Sequence, residues 1–174
     1  NGGTSPNAQL INGFASGEVS GRYNAGGLVG QISAYDGSRL GIRGSHATGH
    51  IDGYGDDGEI GGLIGSTNGD DAGVSIRQSY ATGTVDAPYS YNVGGLVGQA
   101  DDYTLIINSY ATGNVTGYWF VGGLVGDGSM LVSNTYASGQ VAGDVGNGRF
   151  VGGLIGQAYN SQVSNSFSVG AVSG

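Results

Sequence analysis

Apolar residues recur along the chain in short runs that are separated by polar and glycine-rich joints. One run consists of an apolar residue, a glycine pair, leucine, valine or isoleucine, and a further glycine, and its five copies begin at Ala25, Ile60, Val93, Val121 and Val151. A second phrase, typified by "NSYATGNV", has six copies, which begin at Asn12, Gly44, Gln78, Asn108, Asn134 and Asn165. The two phrases alternate, at steps of 26 to 35 residues. Such an alternation indicates one supersecondary unit that is repeated along the chain.

The composition of these phrases predicts β-strands. Segments such as "LIINSYATGNV" and "FVGGLVG" are short, rich in β-branched and aromatic residues, and bounded by glycine, asparagine and aspartate. A unit of about 30 residues with several short strands and no helical period fits one coil of a parallel β-solenoid. We therefore expect an all-β, right-handed parallel β-solenoid (β-helix) of about six coils, about 29 Å long at about 4.8 Å per coil.

Two columns of apolar residues are expected to fill the interior of this solenoid. The first column is Leu28, Leu63, Leu96, Leu124 and Leu154, and the second is Leu10, Ile42, Ile76, Ile106, Val132 and Val163. Their burial should drive folding. The glycine pair before each leucine is expected to adopt positive φ and to let the backbone approach closely at a corner.

An aromatic column accompanies the second phrase, at Phe14, His46, Tyr80, Tyr110, Tyr136 and Phe167. Strict alternation along a strand would place these rings on the same side as the variable, polar positions four residues later. A bend at the intervening Thr-Gly would instead let the rings pack inward, and the two phenylalanines favour this inward arrangement. Amides stand two residues earlier in most repeats, and they are interpreted as a hydrogen-bonded ladder along the axis: Asn12, Gln78, Asn108, Asn134 and Asn165.

The alternation of "GGLVG" with "SYATGxV" resembles the GLUG-motif repeats of large bacterial cell-surface and secreted proteins, which include filamentous-haemagglutinin-type adhesins and immunoglobulin A peptidases. The resemblance extends over nearly the whole chain. It implies an extracellular β-solenoid stalk or spacer, and it carries no catalytic residues. The pattern departs at the two ends, where "TS" follows the glycine pair Gly2-Gly3 and "SVG" replaces "ATG" in the last repeat.

Charge and composition narrow the classes of function. The chain has 174 residues, which suits a single domain over residues 1–174, and its formal net charge is −8, with five arginines and no lysine. Such a chain cannot form the dense basic face that nucleic acid or an anionic membrane requires. Cysteine is absent and no apolar run is long enough to span a bilayer. The missing initiator methionine suggests a segment of a longer protein.

The inventory of reactive side chains does not favour an enzyme. There is no cysteine or lysine, and His46 and His50 are the two histidines. The acids offer a different chemistry, because those that follow the glycine-rich phrase would gather along one side of the solenoid: Asp36, Asp70, Asp71, Asp101, Asp102 and Asp127. Carboxylate oxygens suit Ca²⁺, so calcium is a possible cofactor, although none is required. We favour the alternative that these acids lie in solvated loops and confer solubility.

A second candidate surface is aromatic and lies just before the glycine pairs of two neighbouring coils. It consists of Tyr89, Tyr91, Tyr118, Trp119 and Phe120. Such rings can stack on sugars or on a partner surface. Local packing over the corner is the favoured alternative.

The function expected from the sequence is that of an extracellular or cell-surface structural protein, a stalk or a filament subunit that stacks end to end. The final Val172-Ser173-Gly174 is in phase with Val141-Ala142-Gly143, and the first three residues, "NGG", match the "VGG" that opens the next phrase, so the two ends are expected to match one another. The alternative is a surface module of a larger adhesin that binds glycan or calcium. No nucleic acid partner and no membrane insertion are expected.

Overall fold

The computed structural model describes residues 8–35, 37–69, 73–144 and 150–174. For Asp102 it describes the backbone and not the side chain. Within these ranges every regular element is a β-strand, and adjacent strands pair in parallel. No helix among the described residues is long and apolar enough to cross a membrane.

The first two coils each contain five short strands. Coil 1 contains β1 (Ala8–Ile11), β2 (Phe14–Ala15), β3 (Val19–Gly21), β4 (Ala25–Gly26) and β5 (Val29–Ser33). Coil 2 contains β6 (Arg39–Arg43), β7 (His46–Ala47), β8 (Ile51–Gly53), β9 (Glu59–Gly61) and β10 (Ile64–Asn68).

At the ends of coils 3 and 4 a long strand joins one coil to the start of the next. Coil 3 contains β11 (Gly73–Arg77), β12 (Tyr80–Ala81), β13 (Val85–Asp86) and β14 (Asn92–Gly94), and β15 (Val97–Ile107) leads into coil 4. Coil 4 contains β16 (Tyr110–Ala111), β17 (Val115–Thr116) and β18 (Phe120–Gly122), and β19 (Val125–Ser133) leads into coil 5. Coil 5 contains β20 (Tyr136–Ala137), β21 (Val141–Ala142), β22 (Phe150–Gly152) and β23 (Ile155–Ala158). A partial sixth coil contains β24 (Gln162–Ser164), β25 (Phe167–Ser168) and β26 (Val172–Ser173).

The strands stack into four sheets along the axis. Sheet 1 has nine strands in the order β1-β6-β11-β15-β10-β5, with β19 paired to β15, β23 and β24. Sheet 2 is β2-β7-β12-β16-β20-β25, sheet 3 is β26-β21-β17-β13-β8-β3, and sheet 4 is β22-β18-β14-β9-β4. Equivalent repeat positions lie opposite one another, for example Tyr80 opposite Tyr110 and Val85 opposite Val115. The all-β parallel β-solenoid predicted from the repeats is confirmed, with five coils and part of a sixth.

Both predicted apolar columns form the core. Leu63, Leu96 and Leu124 are fully buried, and Leu28 and Leu154 pack against them from the terminal coils. The second column is buried at Ile42, Ile76, Ile106 and Val132 but exposed at its ends, at Leu10 and Val163. A further cluster lies between sheets 3 and 4, and its buried members include Ile51, Ile60, Val85, Val93, Val115, Val121 and Val141.

The glycine pairs allow close approach, but the positive φ predicted for them is wrong. The described glycines with φ in the left-handed region are Gly37, Gly44 and Gly128, and none of them belongs to a pair. A Cβ on Gly123 would clash with the carbonyl oxygen of Gly153 and would lie 2.9 Å from the Cβ of Ala137. Glycine is therefore required by the contact between successive coils and with the opposite sheet.

The amide column owes its residue type to the backbone. Asn12, Gln78, Asn108, Asn134 and Asn165 have φ between 48° and 55°, and Gly44 occupies the same position with φ 60°. Asparagine and glycine are the residues that tolerate this left-handed conformation best. The turn between sheets 1 and 2, more than an amide ladder, explains the column, and the Gln78 side chain accepts a hydrogen bond from Arg43 Nε at 3.1 Å.

A column of buried hydroxyl groups follows this turn. Ser79 Oγ accepts a hydrogen bond from the Ser45 amide at 3.2 Å and donates to the Arg77 carbonyl at 2.8 Å. Ser109 makes the same two bonds, with the Ser79 amide at 3.2 Å and the Ile107 carbonyl at 2.9 Å. These hydroxyls satisfy backbone groups that the turn leaves without ladder partners. The serine or threonine that precedes the aromatic residue in every repeat but the first was the available sequence signal.

Candidate binding surfaces

Four of the five predicted aromatic residues form one ring cluster over sheet 4. Tyr91 stacks on Trp119 with ring centroids 5.5 Å apart, and it meets Tyr118 edge-on at 5.7 Å. Trp119 in turn contacts Phe120 at 6.2 Å. The fifth residue, Tyr89, is 64% exposed and makes none of the ring contacts described within this cluster. We call Tyr91, Tyr118, Trp119, Phe120 and Phe150 the aromatic cluster.

Backbone pairing between coils positions these rings. The Phe120 amide donates to the Tyr91 carbonyl at 2.8 Å, and the Phe150 amide donates to the Trp119 carbonyl at 3.1 Å. Phe150 lies opposite Phe120 in the ladder, with ring centroids 5.1 Å apart. The cluster thus extends over coils 3 to 5 and includes Phe150, which was not part of the surface predicted from the sequence.

A second aromatic column lies on the outside of sheet 2, so the inward arrangement predicted for it is wrong. Its rings stack in chain order, with centroids 4.6 to 4.8 Å apart from Phe14 to Tyr136 and 5.6 Å at the last pair. Phe14 and Phe167 at its two ends are 58% and 57% exposed. We call these residues the aromatic ladder: Phe14, His46, Tyr80, Tyr110, Tyr136 and Phe167.

The narrowness of the interior explains why the rings face outward. Each two-residue strand of sheet 2 turns its second residue inward, and Ala47, Ala81, Ala111 and Ala137 are buried there. Their methyl groups face the glycine pairs of the opposite side, so that a Cβ on Gly95 would lie 3.0 Å from the Cβ of Ala111. No aromatic ring fits in that space.

Stacking affects the titration of the central ring. Burial raises the pKa of the Tyr110 phenol, and the neighbouring Tyr136 and Tyr80 raise it further. The ladder therefore favours the uncharged form of Tyr110.

The structure describes only part of the predicted calcium surface. Asp36, Asp70 and Asp71 lie outside the described residues, as does the side chain of Asp102. Asp101 accepts a hydrogen bond from Gln99 Nε2 at 2.9 Å, and Gln99 Oε1 accepts one from Asn92 Nδ2 at 3.1 Å.

Two carboxyl groups beside this network are partly desolvated. Burial raises the pKa of Glu59, a hydrogen bond with Ser66 opposes the rise, and the charge of Asp101 adds to it. Burial also raises the pKa of Asp127, against a hydrogen bond from the Gly128 backbone, and Asp101 again adds to the rise. The buried Asn92 Oδ1 and Asp127 Oδ1 have no hydrogen-bond partner. In the described part of the chain no three His, Cys, Asp or Glu side chains are grouped to hold a metal ion, and calcium binding stays a prediction.

Comparison with known proteins agrees with the repeat pattern. A model of the GLUG motif matches residues 89–116. The matched segment contains β14 to β17 and therefore one glycine-pair corner and one "SYATG" turn. The chain accordingly contains a GLUG repeat region.

A similar stretch occurs in a much longer protein. The chain is 38% identical over 178 residues to halomucin of Haloquadratum walsbyi (strain DSM 16790 / HBSQ001), a match that covers 95% of this chain. The chain spans about 2% of the length of that relative. No solved structure matches the chain.

Proposed function

We propose that this chain is a non-catalytic spacer, a rigid rod segment within an extracellular or cell-surface protein. The observation that carries the proposal is the unbroken parallel register in sheets 2 and 3, which runs from coil 1 to the partial sixth coil. Each coil contacts mainly its neighbours, so length is added by adding coils. The GLUG match and the similarity to halomucin over nearly the whole chain support a place in a long repetitive surface protein.

The finer proposal is that the rod stacks end to end on a second copy. The two terminal coils expose the same columns, with Leu10 and Val163 from one core column and Phe14 and Phe167 from the aromatic ladder. In the part of the chain that the structure describes, β1, β2 and β3 at one end and β24, β25 and β26 at the other are each paired on one side. A head-to-tail contact would continue both the columns and the ladders, and it does not close into a ring.

Electron microscopy and sedimentation of the purified 174-residue chain test this stacking. We expect rods that lengthen with protein concentration and dissociate in the Phe167→Glu variant. Tyr54→Glu, at an exposed ring on the side of the rod, is the matched control and should stack like wild type. A monomer at every concentration would refute the stacking but would leave the spacer proposal intact.

The aromatic cluster is a second candidate function, namely attachment to a glycan or a partner surface. Its support is that five rings from three successive coils meet on the outside of sheet 4. The double variant Tyr91→Ser/Trp119→Ser should stay folded and lose binding on a glycan array, with Tyr54→Ser as the control. Unfolding of the double variant would show that the cluster serves packing alone.

A further inference from the structure

The outer face of sheet 1 carries three adjoining hollows that form one groove. The central hollow has a volume of about 480 Å³, and its lining includes Arg39, Ser75, Arg77, Tyr103, Leu105 and Leu131. A hollow of about 410 Å³ shares Tyr103 and Leu131 with it and extends to Asn160. A third, of about 440 Å³, shares Arg77 and extends to Gln78 and Asn108. A groove of this extent suits a polymer better than a single small molecule.

Most of the arginines of this acidic chain lie at the groove. Arg39, Arg43 and Arg77 lie on this face, out of five arginines in a chain with no lysine and a formal net charge of −8. Arg43 lies opposite Arg77 in the ladder between β6 and β11, and both side chains are exposed. Among the described residues, which leave out Asp36, Asp70 and Asp71, no carboxylate forms an ion pair with Arg39 or Arg77. Two guanidinium groups are thus available to an anionic ligand.

Tyr103 stands at the junction of two hollows in a conformation that an aromatic residue rarely adopts. Its φ is 63°, at the point where the pairing of β15 with β19 shifts register between Ala100 and Thr104. The ring is 66% exposed, and beside it Leu131 is 48% exposed. A strained backbone that places a ring in solvent, next to a groove, points to a functional role.

We propose that this groove binds an acidic polysaccharide that contains uronic acids. The guanidinium groups of Arg39 and Arg77 pair with sugar carboxylates, for which their fork geometry is suited. The apolar face of a pyranose ring packs on Tyr103 and Leu131. The amides of Gln78 and Asn160 at the two ends of the groove supply hydrogen bonds to hydroxyl groups.

The geometry favours a sugar chain over an extended acidic peptide. An extended peptide gains much of its affinity from main-chain bonds to a free sheet edge. The groove instead runs across the face of a sheet whose backbone groups are paired within the ladders, apart from the register shift between Ala100 and Thr104. The proposal is independent of end-to-end stacking, and the groove lies on a different sheet from the aromatic cluster.

Calorimetric titration of the full chain with polygalacturonate tests the proposal, with the methyl-esterified polymer as the ligand control. We expect binding of the free acid that weakens with salt, and little binding of the ester. Arg39→Gln/Arg77→Gln should weaken binding by about tenfold or more, since each substitution removes charge-assisted hydrogen bonds to a sugar carboxylate. The matched control is Arg22→Gln, which removes an equal charge per site from an exposed arginine stacked over Tyr23, away from the groove.

A second variant separates binding from folding. Tyr103→Gly removes the ring but suits the left-handed backbone, so it should melt no lower than wild type and still bind polygalacturonate more weakly. The proposal is overturned by an absence of polygalacturonate binding, by equal binding of the methyl ester, or by equal losses in Arg22→Gln and the groove variants. If polyglutamate bound with the same affinity as polygalacturonate and with the same sensitivity to the groove variants, the groove would be assigned to an acidic polypeptide. That outcome would also refute the proposal of a polysaccharide ligand.

Discussion

At the scale of single residues, the coils above and below determine how far each side chain of a column is buried. Leu124 is fully buried between Leu96 and Leu154, and its amide donates to the Leu154 carbonyl at 2.8 Å. Leu131 lies on the outer face of sheet 1 and is 48% exposed. The two leucines therefore differ in environment but not in chemistry, which makes them a matched pair.

Leu124→Ala should lower the free energy of unfolding by about 2 to 5 kcal/mol, because the neighbouring coils cannot close the cavity that it leaves. Leu131→Ala should change it by about 0.5 kcal/mol or less, as an exposed substitution. Urea denaturation of both variants measures the difference. Similar losses in the two variants would contradict the assignment of an interior leucine column.

Glu59 gives the fold a pH dependence. The folded pKa of Glu59 is raised above its ordinary value of 4.5, so folding favours the protonated carboxyl. Stability is therefore fullest below the unfolded pKa, and it falls as pH rises through the interval up to the raised folded pKa. Glu59→Gln, which keeps a polar side chain beside Ser66, should be more stabilising relative to wild type near pH 7 than near pH 4.

Thermal melting across that pH range checks the effect, with the exposed Glu18→Gln as the control. A difference between Glu59→Gln and wild type that does not change with pH would show that burial of Glu59 does not act through its charge.

The burial of some of these residues could be predicted from the sequence, whereas the orientation of others depends on residues in other strands. The leucine and isoleucine columns followed from periodicity, because burial selects apolar residues at fixed places. The aromatic ladder was predicted on the wrong face because the depth of the interior cannot be inferred from the sequence of the strand that carries the rings. It depends on Ala111 meeting Gly95 from the opposite side of the coil. The left-handed turn was also missed, since asparagine suits both an amide ladder and that backbone conformation.

At the scale of elements, the aromatic ladder compensates for the shortness of sheet 2. Its strands are two residues long and contribute few backbone hydrogen bonds per coil. The rings above them stack almost parallel, with 2° between Tyr80 and Tyr110 and 6° between Tyr110 and Tyr136. Stacked aromatic pairs contribute about 0.5 to 1.5 kcal/mol each beyond their burial.

Tyr110→Ala should therefore lower the free energy of unfolding by about 1 to 3 kcal/mol through its two ring pairs, and Phe14→Ala by about half as much through one pair. Chemical denaturation of the two variants and the double variant measures these losses. Equal losses would show that ring stacking along the ladder does not contribute. In alkaline solution the wild-type ladder should weaken above the ordinary tyrosine pKa, because folding raises the pKa of Tyr110.

The joints between elements were the least predictable feature. In coils 1 and 2 the chain leaves sheet 1 after Ser33 and Asn68 and returns at Arg39 and Gly73, whereas β15 and β19 continue without a break. The connections at β15 and β19 are shorter in sequence than those of coils 1 and 2, although length alone does not decide, since the short connection of coil 5 is interrupted between Ala158 and Gln162. The groove depends on this change, since Tyr103 lies at the irregularity within β15, and no motif in the sequence marked it.

At the scale of the whole molecule, the coil is the unit in which length can change. The register of sheets 2 and 3 repeats from coil to coil, so the chain after Ser133 stacks on coil 4 much as the chain after Ile107 stacks on coil 3. The repeat phase at Asn108 and Asn134 is the same in sequence and in backbone conformation, with φ 51° and 53°. Removing the residues between these two points should leave every remaining column continuous.

Deletion of residues 108–133, which joins Ile107 directly to Asn134, should therefore give a folded solenoid that is shorter by one coil, about 4.8 Å. Stability should fall by the contribution of one coil and one interface, as in other repeat arrays. The matched control is deletion of residues 108–120, which removes the strands of sheets 2 and 3 from one coil and places Val121 of sheet 4 against the end of sheet 1. This half-coil deletion breaks all four registers and should not fold cooperatively. Small-angle X-ray scattering and thermal melting of both variants distinguish the outcomes. A full-coil deletion that unfolds like the half-coil deletion would mean that the rod is one indivisible unit and that spacer length cannot change coil by coil.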